Sequence, residues 1–232
     1  MTAELPIREI GDARLADELA ERVCPVCAER DRAATRFVDS ILFERVTDRG
    51  FRAELDAARG FCRRHTRDVL RADRASGSGA GAAILFDAIA RVRLAELETA
   101  LHDRGRSRAR RIAAARRPAA CPVCGHAAES EASTVERLVA LAADDAWADA
   151  LGDAAFCLDH LLAIVAVAEP TAAWQRIGER QLQRIGELRG RLGSFAHHSS
   201  HDRRHLLTDE ERASADEGAA FLGGNETRRS AE

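Results

Sequence analysis

The chain of 232 residues contains no lysine and no tyrosine, and aromatic residues make up only 4% of it. Without lysine, Schiff-base chemistry, a pyridoxal phosphate anchor and a Walker-type phosphate loop are excluded, because each needs a lysine amine. Alanine, leucine and arginine are abundant, and they are good helix formers and poor strand formers. No stretch alternates between apolar and polar residues as a strand does. The sequence therefore predicts an all-α protein.

Long apolar segments are also missing. The first 23 residues carry charges throughout and lack an apolar core, so we do not expect a signal peptide. No run approaches the roughly 18 apolar residues that span a bilayer. We therefore expect a cytoplasmic protein without a membrane partner. In that reducing compartment, six cysteines indicate metal ligands or redox groups more than structural disulfides.

All six cysteines fall into two sets with the same layout, CPVC followed by an aromatic residue and CxxH. The second CPVC lies 97 residues after the first, and the second FCxxH lies 95 residues after the first. The candidate ligands of the first set are Cys24, Cys27, Cys62 and His65, and those of the second are Cys121, Cys124, Cys157 and His160.

Apolar positions between the motifs also align, which indicates an internal duplication. Phe51 and Leu55 match Trp147 and Leu151 with an offset of 96. We expect two tandem helical repeats, each clipped by its own Cys3His metal site. The predicted division is an N-terminal amphipathic helix at 1–23, repeat one at 24–117, repeat two at 118–195 and a polar tail at 196–232.

The fourth helix of each repeat is expected to carry an apolar stripe. In repeat one, Ala90, Leu94, Leu97 and Leu101 recur at i, i+4, i+7 and i+11. In the tail, Thr208 and Glu211 fit a capping box that opens a short helix reaching Phe221.

Three thiolates and one imidazole are the ligand set of a closed structural zinc site. Cysteine and histidine three residues apart project from one helix face toward one point. We therefore predict two zinc ions. An iron–sulfur cluster in each set uses the same atoms and stays open. Redox-active dithiols and buried cysteines without a ligand are weaker alternatives, since no thioredoxin-like unit is present and all six cysteines lie in register.

The flanks of the two FCxxH elements differ. Three thiolates and a divalent ion leave a net charge of −1, which Arg63 and Arg64 could offset beside the first element. Leu158, Leu161 and Leu162 surround the second element instead. We expect the site of repeat two to be the drier one, and the site of repeat one to be the one that reacts, exchanges metal or meets an anionic partner.

Two further segments have weaker signals. Arg104–Arg117 holds seven arginines, which could contact nucleic acid phosphates, although no aromatic residues are interleaved for base stacking. His197, His201 and His205 are spaced four apart and could form an accessory metal site. A solvated helix end and a solvated tail are the alternative interpretations.

The duplicated CPVC and FCxxH layout, with Leu222, Gly223 and Gly224 near the end, resembles a family of uncharacterised prokaryotic proteins known as a domain of unknown function. The resemblance covers about residues 20–223 and implies no activity.

No catalytic constellation stands out, so we expect a non-enzymatic metal-binding protein whose helix faces bind a protein partner or a second copy. The alternative is a metal- or redox-responsive regulator whose arginine-rich link contacts nucleic acid. An enzyme with an open metal position stays a third possibility.

Overall fold

The computed structural model describes residues 5–77, 79–118 and 120–224, and every regular element within them is a helix. The predicted all-α fold is confirmed. A π-helical turn (Ile41–Arg45) follows the second helix, and a 3-10 turn (Arg204–Leu206) precedes the last one. The α-helices are α1 (Ile10–Ala20), α2 (Pro25–Ser40), α3 (Arg49–Ala57), α4 (Arg63–Ala75), α5 (Ala80–His102), α6 (Arg108–Ala115), α7 (Pro122–Leu141), α8 (Asp145–Gly152), α9 (Leu158–Val167), α10 (Ala172–His198) and α11 (Asp209–Gly223).

Side-chain caps fix where several helices begin. Asp144 accepts hydrogen bonds from the backbone amides of Ala146 and Trp147 at the start of α8. Thr208 and Glu211 form the predicted capping box at the start of α11, with both bonds 3.1 Å long. These polar caps satisfy backbone groups that a helix leaves without an internal partner.

The chain divides into two compact units. Unit 1 comprises Met1–Arg30 and Glu131–Glu232, and unit 2 comprises Asp31–Ser130. The boundaries fall inside α2 and α7, so each of these two helices begins in one unit and ends in the other.

Each unit has its own apolar core, and each core includes cysteine side chains. Unit 1 packs Cys24, Cys27 and Cys157 with large buried residues such as Trp147 and Ile164. The core of unit 2 is assembled from α2, α3, α4, α5 and the first turns of α7. Its members include Val38, Ile41, Phe51, Leu55, Leu85, Cys121 and Val123.

The elements repeat in order. The helices α2, α3, α4 and α5 follow a sequence of long, short, FCxxH-bearing and long helix, and α7, α8, α9 and α10 follow the same sequence. The duplication and the four predicted segments remain predictions that this order supports.

The predicted apolar stripe of α5 faces solvent. Leu94, Leu97 and Leu101 are more than half exposed, at 55%, 52% and 61%. On the corresponding helix α10, Ile177 and Gln181 are buried. The amphipathic period of α5 thus identified a helix but did not locate its buried face. None of the described helices has the length and apolar character that crossing a membrane requires.

Candidate metal centres

All four predicted ligand pairs occupy the first turn of a helix. Pro25 and Pro122 are the first residues of α2 and α7, a position that suits proline because its missing N–H would have no helical partner. The first cysteine of each CPVC therefore precedes its helix, and the second is the third helical residue. Each CPVC motif is therefore the start of a helix.

The FCxxH elements have the same placement. Cys62 and Cys157 are N-cap residues with extended backbone, at φ −68° and ψ 167° and at φ −77° and ψ 161°. His65 and His160 are the third residues of α4 and α9. N-cap and third positions point their side chains across the open helix end, where the macrodipole favours a thiolate.

The first group, which we name site A, consists of Cys24, Cys27, Cys157 and His160. All four residues are buried. Nδ1 of His160 lies 3.4 Å, 3.3 Å and 3.1 Å from the sulfurs of Cys24, Cys27 and Cys157. The Cys27 and Cys157 sulfurs are 3.8 Å apart.

The second group, site B, consists of Cys62, His65, Cys121 and Cys124. Nδ1 of His65 lies 3.3 Å, 3.4 Å and 3.3 Å from the sulfurs of Cys62, Cys121 and Cys124. The Cys124 and Cys62 sulfurs are 3.7 Å apart. Cys62 is half-buried and Cys124 is exposed. In each site the four ligand atoms lie within 4.8 Å of one another, so each could hold one metal ion.

The structure brings the eight predicted residues together in two groups of four, but the predicted pairing within each repeat is wrong. Each site combines the CPVC of one repeat with the FCxxH of the other. The reason is the course of α2, which begins in unit 1 and ends in unit 2. Cys62 therefore folds within unit 2 together with Cys121 and Cys124, whereas Cys24 and Cys27 belong to unit 1.

All six cysteines are unbridged. A disulfide would bring two sulfurs to about 2.05 Å, and the measured separations of 3.7 Å and 3.8 Å are far longer. The thiols are thus free to act as ligands.

Electrostatics in site A disfavour three bare thiolates. The hydrogen bonds from Cys24 and Cys27 lower the pKa of Cys157, whereas the contacts with Cys157 and Cys27, together with burial, raise the pKa of Cys24. Burial lowers the pKa of His160, but the neighbouring Cys157 and Cys27 sulfurs raise it to about 10. A buried group of three thiols needs a compensating cation before all of them ionise.

A carboxylate contacts the imidazole nitrogen of site A that does not face the sulfurs. Nε2 of His160 lies 3.3 Å from a carboxylate oxygen of Glu131 on α7, and Glu131 is 4.0 Å from Arg30. A carboxylate on the second ring nitrogen fixes the histidine tautomer and raises its basicity as a ligand. Sequence reasoning missed Glu131, because it lies 29 residues before His160 and no local pattern links the two residues.

Site B is wetter. Partial desolvation, with the neighbouring Cys121 and Cys62, raises the pKa of Cys124 to about 12. Burial lowers the pKa of His65, and the carboxylates of Asp68 and Asp31 oppose that shift. The prediction that the site of repeat two is the drier one does not hold as made, because the pairing is exchanged: the buried site A contains the second FCxxH element and the first CPVC, whereas the second CPVC belongs to the more exposed site B.

The turn before Cys62 has a special backbone. Arg59 and Gly60 both have positive φ, at 63° and 99°, and the Gly60 amide donates to the Leu55 carbonyl at 2.9 Å. A Cβ on Gly60 would lie 2.7 Å from a methyl carbon of Ile89, so this position requires glycine.

Arg59 ties the two halves of site B together. Its guanidinium donates to the carbonyls of Ala114 and Ala115 at the end of α6 and pairs with Glu96 at 2.7 Å. The Ala120 amide also donates to the Ala58 carbonyl at 2.9 Å. These bonds hold the segment before Cys121 against the segment before Cys62.

The accessory metal site, which was the weaker of the two interpretations of His197, His201 and His205, does not form among the described residues. Among the described residues only sites A and B bring three or more potential ligands together. His197 contacts Arg203, and the neighbouring His198 pairs with Glu211 at 3.1 Å. All seven arginines of Arg104–Arg117 are exposed.

Fold and site define a helical protein with two Cys3His groups that could hold metal ions. Residues 8–179 match a family of unknown function, DUF6062, and the chain belongs to that family. The match ends within α10, earlier than the predicted limit of 223. No curated protein and no solved structure matches the chain.

Proposed function

We propose that the protein is a non-enzymatic structural zinc protein in which each of two ions joins helices that are distant in sequence. Tetrahedral zinc with Zn–S bonds of about 2.3 Å places two sulfurs about 3.8 Å apart. The observed separations of 3.8 Å and 3.7 Å support that geometry. This agreement is the observation that carries the proposal.

Site geometry favours one ion over an iron–sulfur cluster. Ligands of a cluster bind different irons and stand farther apart than ligands of a single ion, whereas all four atoms here lie within 4.8 Å. Four protein ligands also complete a tetrahedron without an open position for a substrate. A closed ligand set supports a structural role over a catalytic one.

Metal analysis of protein purified without added metal tests this proposal. We expect two equivalents of zinc per chain and loss of helical circular dichroism after chelation, because a structural zinc ion contributes on the order of 10 kcal/mol. Visible absorption with iron and sulfide in the sample would contradict zinc and support the cluster. Metal-free protein with full helicity would contradict both.

We further propose that the protein self-associates through α5. Ala90, Leu94, Leu97 and Leu101 have the a/d spacing of a coiled coil and are exposed. The exposed charges beside them, including Arg91 and Glu98, have both signs. A surface with both signs can pair with its own copy, so a second chain is the partner that this face favours.

Sedimentation of the full chain over a range of concentrations tests that interface. We expect a dimer that becomes monomeric in Leu94→Glu. The matched control is Leu162→Glu on α9, since Leu162 is 57% exposed against 55% for Leu94. A monomer at all concentrations, or equal loss of the dimer in both variants, would contradict it.

A cytoplasmic location fits the unbridged cysteines, and the common order of helices favours an origin by duplication.

A second candidate function is nucleic-acid contact through the arginine-rich link. The observation in its favour is the exposure of all seven arginines there. Replacing Arg108, Arg110 and Arg111 should weaken binding and reduce its salt dependence. Replacing the exposed Arg14, Arg74 and Arg189 is the control, and equal effects of the two triple variants would argue against this function.

A further inference from the structure

We propose that α11 and Gly224 form a removable cover over site A, and that this cover controls how fast site A releases its ion. The inference rests on the proposed function, since it requires that site A holds metal. Two features outside the ligand motifs support it: the contact of Gly224 with the ligand sulfurs and the packing of α11.

Gly224 lies directly against the ligand sulfurs. A Cβ added there would be 3.1 Å from the sulfur of Cys27 and 4.0 Å from that of Cys157. Gly224 also has φ +74° and ψ 166°, a conformation that L-residues rarely adopt. The neighbouring Gly223, in contrast, has no heavy atom within 4 Å of an added Cβ. The sequence therefore places the residue without a side chain where the backbone must pass closest to the ligands.

The helix α11 holds Gly224 in that place by packing against α10 and α9. A Cβ on Gly218 would lie 3.3 Å from a methyl carbon of Leu192 on α10. Ser214, one turn earlier, is fully buried. Ion pairs between Glu217 and Arg191 and between Glu211 and His198 add polar attachments.

This attachment is weak enough to open. Ser214 and Gly218 are the only buried residues of α11 within the described chain, so the helix contributes no large side chain to a core. A cavity of about 610 Å³ lies along α11, between Phe221 and the α10 residues Ile185 and Leu188. The same cavity reaches Phe156, which precedes the ligand Cys157. A segment with few buried apolar contacts opens at a lower free energy than the core does.

Opening of α11 would expose buried sulfurs to an incoming ligand. Metal leaves a thiolate site when a competing ligand replaces the sulfurs one at a time, which requires access to the ion. Cys24 and Cys27 are each only 1% exposed. A competing ligand therefore reaches the sulfurs of site A only when a covering segment, here α11 with Gly224, moves away. Site B already has an exposed ligand in Cys124. Moreover, α11 lies outside the residues that match the family, which end at 179.

The experiment is zinc release from the full-length, zinc-loaded chain into an excess of the colorimetric chelator 4-(2-pyridylazo)resorcinol. We expect two phases of one equivalent each, a fast one from site B and a slow one from site A. Gly224→Ala introduces the clash at the sulfurs, and Gly218→Val lifts α11 from α10 without touching site A. Both should accelerate the slow phase roughly tenfold and leave the fast phase unchanged.

Gly223→Ala is the matched control and should release zinc as the parent does. Complete loss of one equivalent from Gly224→Ala supports the cover when Gly218→Val also accelerates the slow phase, and it counts against the cover when Gly218→Val releases zinc as the parent does. An unchanged slow phase in both test variants would overturn it, and so would acceleration in Gly224→Ala alone. A parent chain without zinc would instead refute the proposed function, so the two failures are distinguishable.

Discussion

Sites A and B use the same ligand types at the same positions of helix first turns, yet they differ in exposure. Every ligand of site A is buried, whereas Cys124 of site B is exposed and Cys62 is half-buried. Glu131 supports His160 of site A at 3.3 Å. The comparison shows that the same ligand motif occurs in two different surroundings, and we expect these surroundings to decide how firmly each site holds an ion.

The largest expected difference between the two sites appears when the second cysteine of each CPVC, Cys27 or Cys124, is replaced. Cys27→Ser should remove one zinc equivalent and destabilise unit 1 by an amount approaching the order of 10 kcal/mol that a structural ion contributes. Cys124→Ser should keep most of its zinc, because water can reach the exposed position and serve as fourth ligand. Zinc content and thermal unfolding of the two variants measure this. Equal losses of zinc and of stability in the two variants would mean that the exposure of a ligand does not determine how firmly its site holds zinc.

Removal of the carboxylate behind His160 should weaken site A alone. Glu131→Gln should lower the affinity of site A for zinc by about 10- to 100-fold, the usual effect of losing such a partner. Equilibrium competition with a chelator gives the two affinities. Glu136→Gln, an exposed glutamate on the same helix, is the control and should change neither. A weakened site B would show that Glu131 acts through general stability.

The residue before each FCxxH element differs between the repeats, and exchanging the two residue types should have unequal effects on stability. Gly60→Ala should destabilise unit 2 by about 1–3 kcal/mol, because φ is +99° and the new Cβ meets Ile89. The corresponding Ala155→Gly should cost unit 1 no more than about 1 kcal/mol. Denaturant unfolding of both variants tests the contrast, and a neutral Gly60→Ala would refute the requirement for glycine.

An effect of similar size, which also depends on pH, concerns a buried ion pair that joins α1 to α7 in unit 1. Burial raises the pKa of the Asp12 carboxyl, but hydrogen bonds from Arg137 and from the backbone amides of Arg8 and Glu9 lower it by more, so the pKa lies below its ordinary value. A lowered pKa stabilises the fold above the unfolded value of about 3.9, and that stability is lost as pH falls through the folded pKa.

Asp12→Asn should therefore cost about 1–3 kcal/mol at pH 7, and the gap to the parent should close below about pH 4. Unfolding measured across pH tests this, with the exposed Asp17→Asn as control. A gap that stays constant down to pH 3 would assign the loss to packing and not to charge.

Much of this architecture follows from local sequence. Helix propensity predicted the all-α fold, and the Thr208 and Glu211 pattern predicted the start of α11. Proline after the first cysteine and cysteine three residues before histidine each describe a helix first turn. Such features depend on a few neighbouring residues, so a single sequence contains them.

Long-range features were not predictable in the same way. The spacing of the eight ligands is compatible with pairing within a repeat or between repeats, and the packing of the helices into two units decides between them. Glu131 approaches His160, and Gly224 approaches Cys27 and Cys157, across long stretches of sequence, so no local pattern marks these contacts. The exposed face of α5 has the same apolar period as a buried helix face. The exposure of Leu94, Leu97 and Leu101 could therefore not be predicted from their spacing.

The most direct test of the exchanged pairing is NMR of the chain loaded with cadmium-113 in place of zinc, using couplings between each metal and the cysteine β-protons. We predict that one cadmium resonance couples to Cys24, Cys27 and Cys157, and the other to Cys62, Cys121 and Cys124. A single resonance that couples to Cys24, Cys27 and Cys62 would contradict this account.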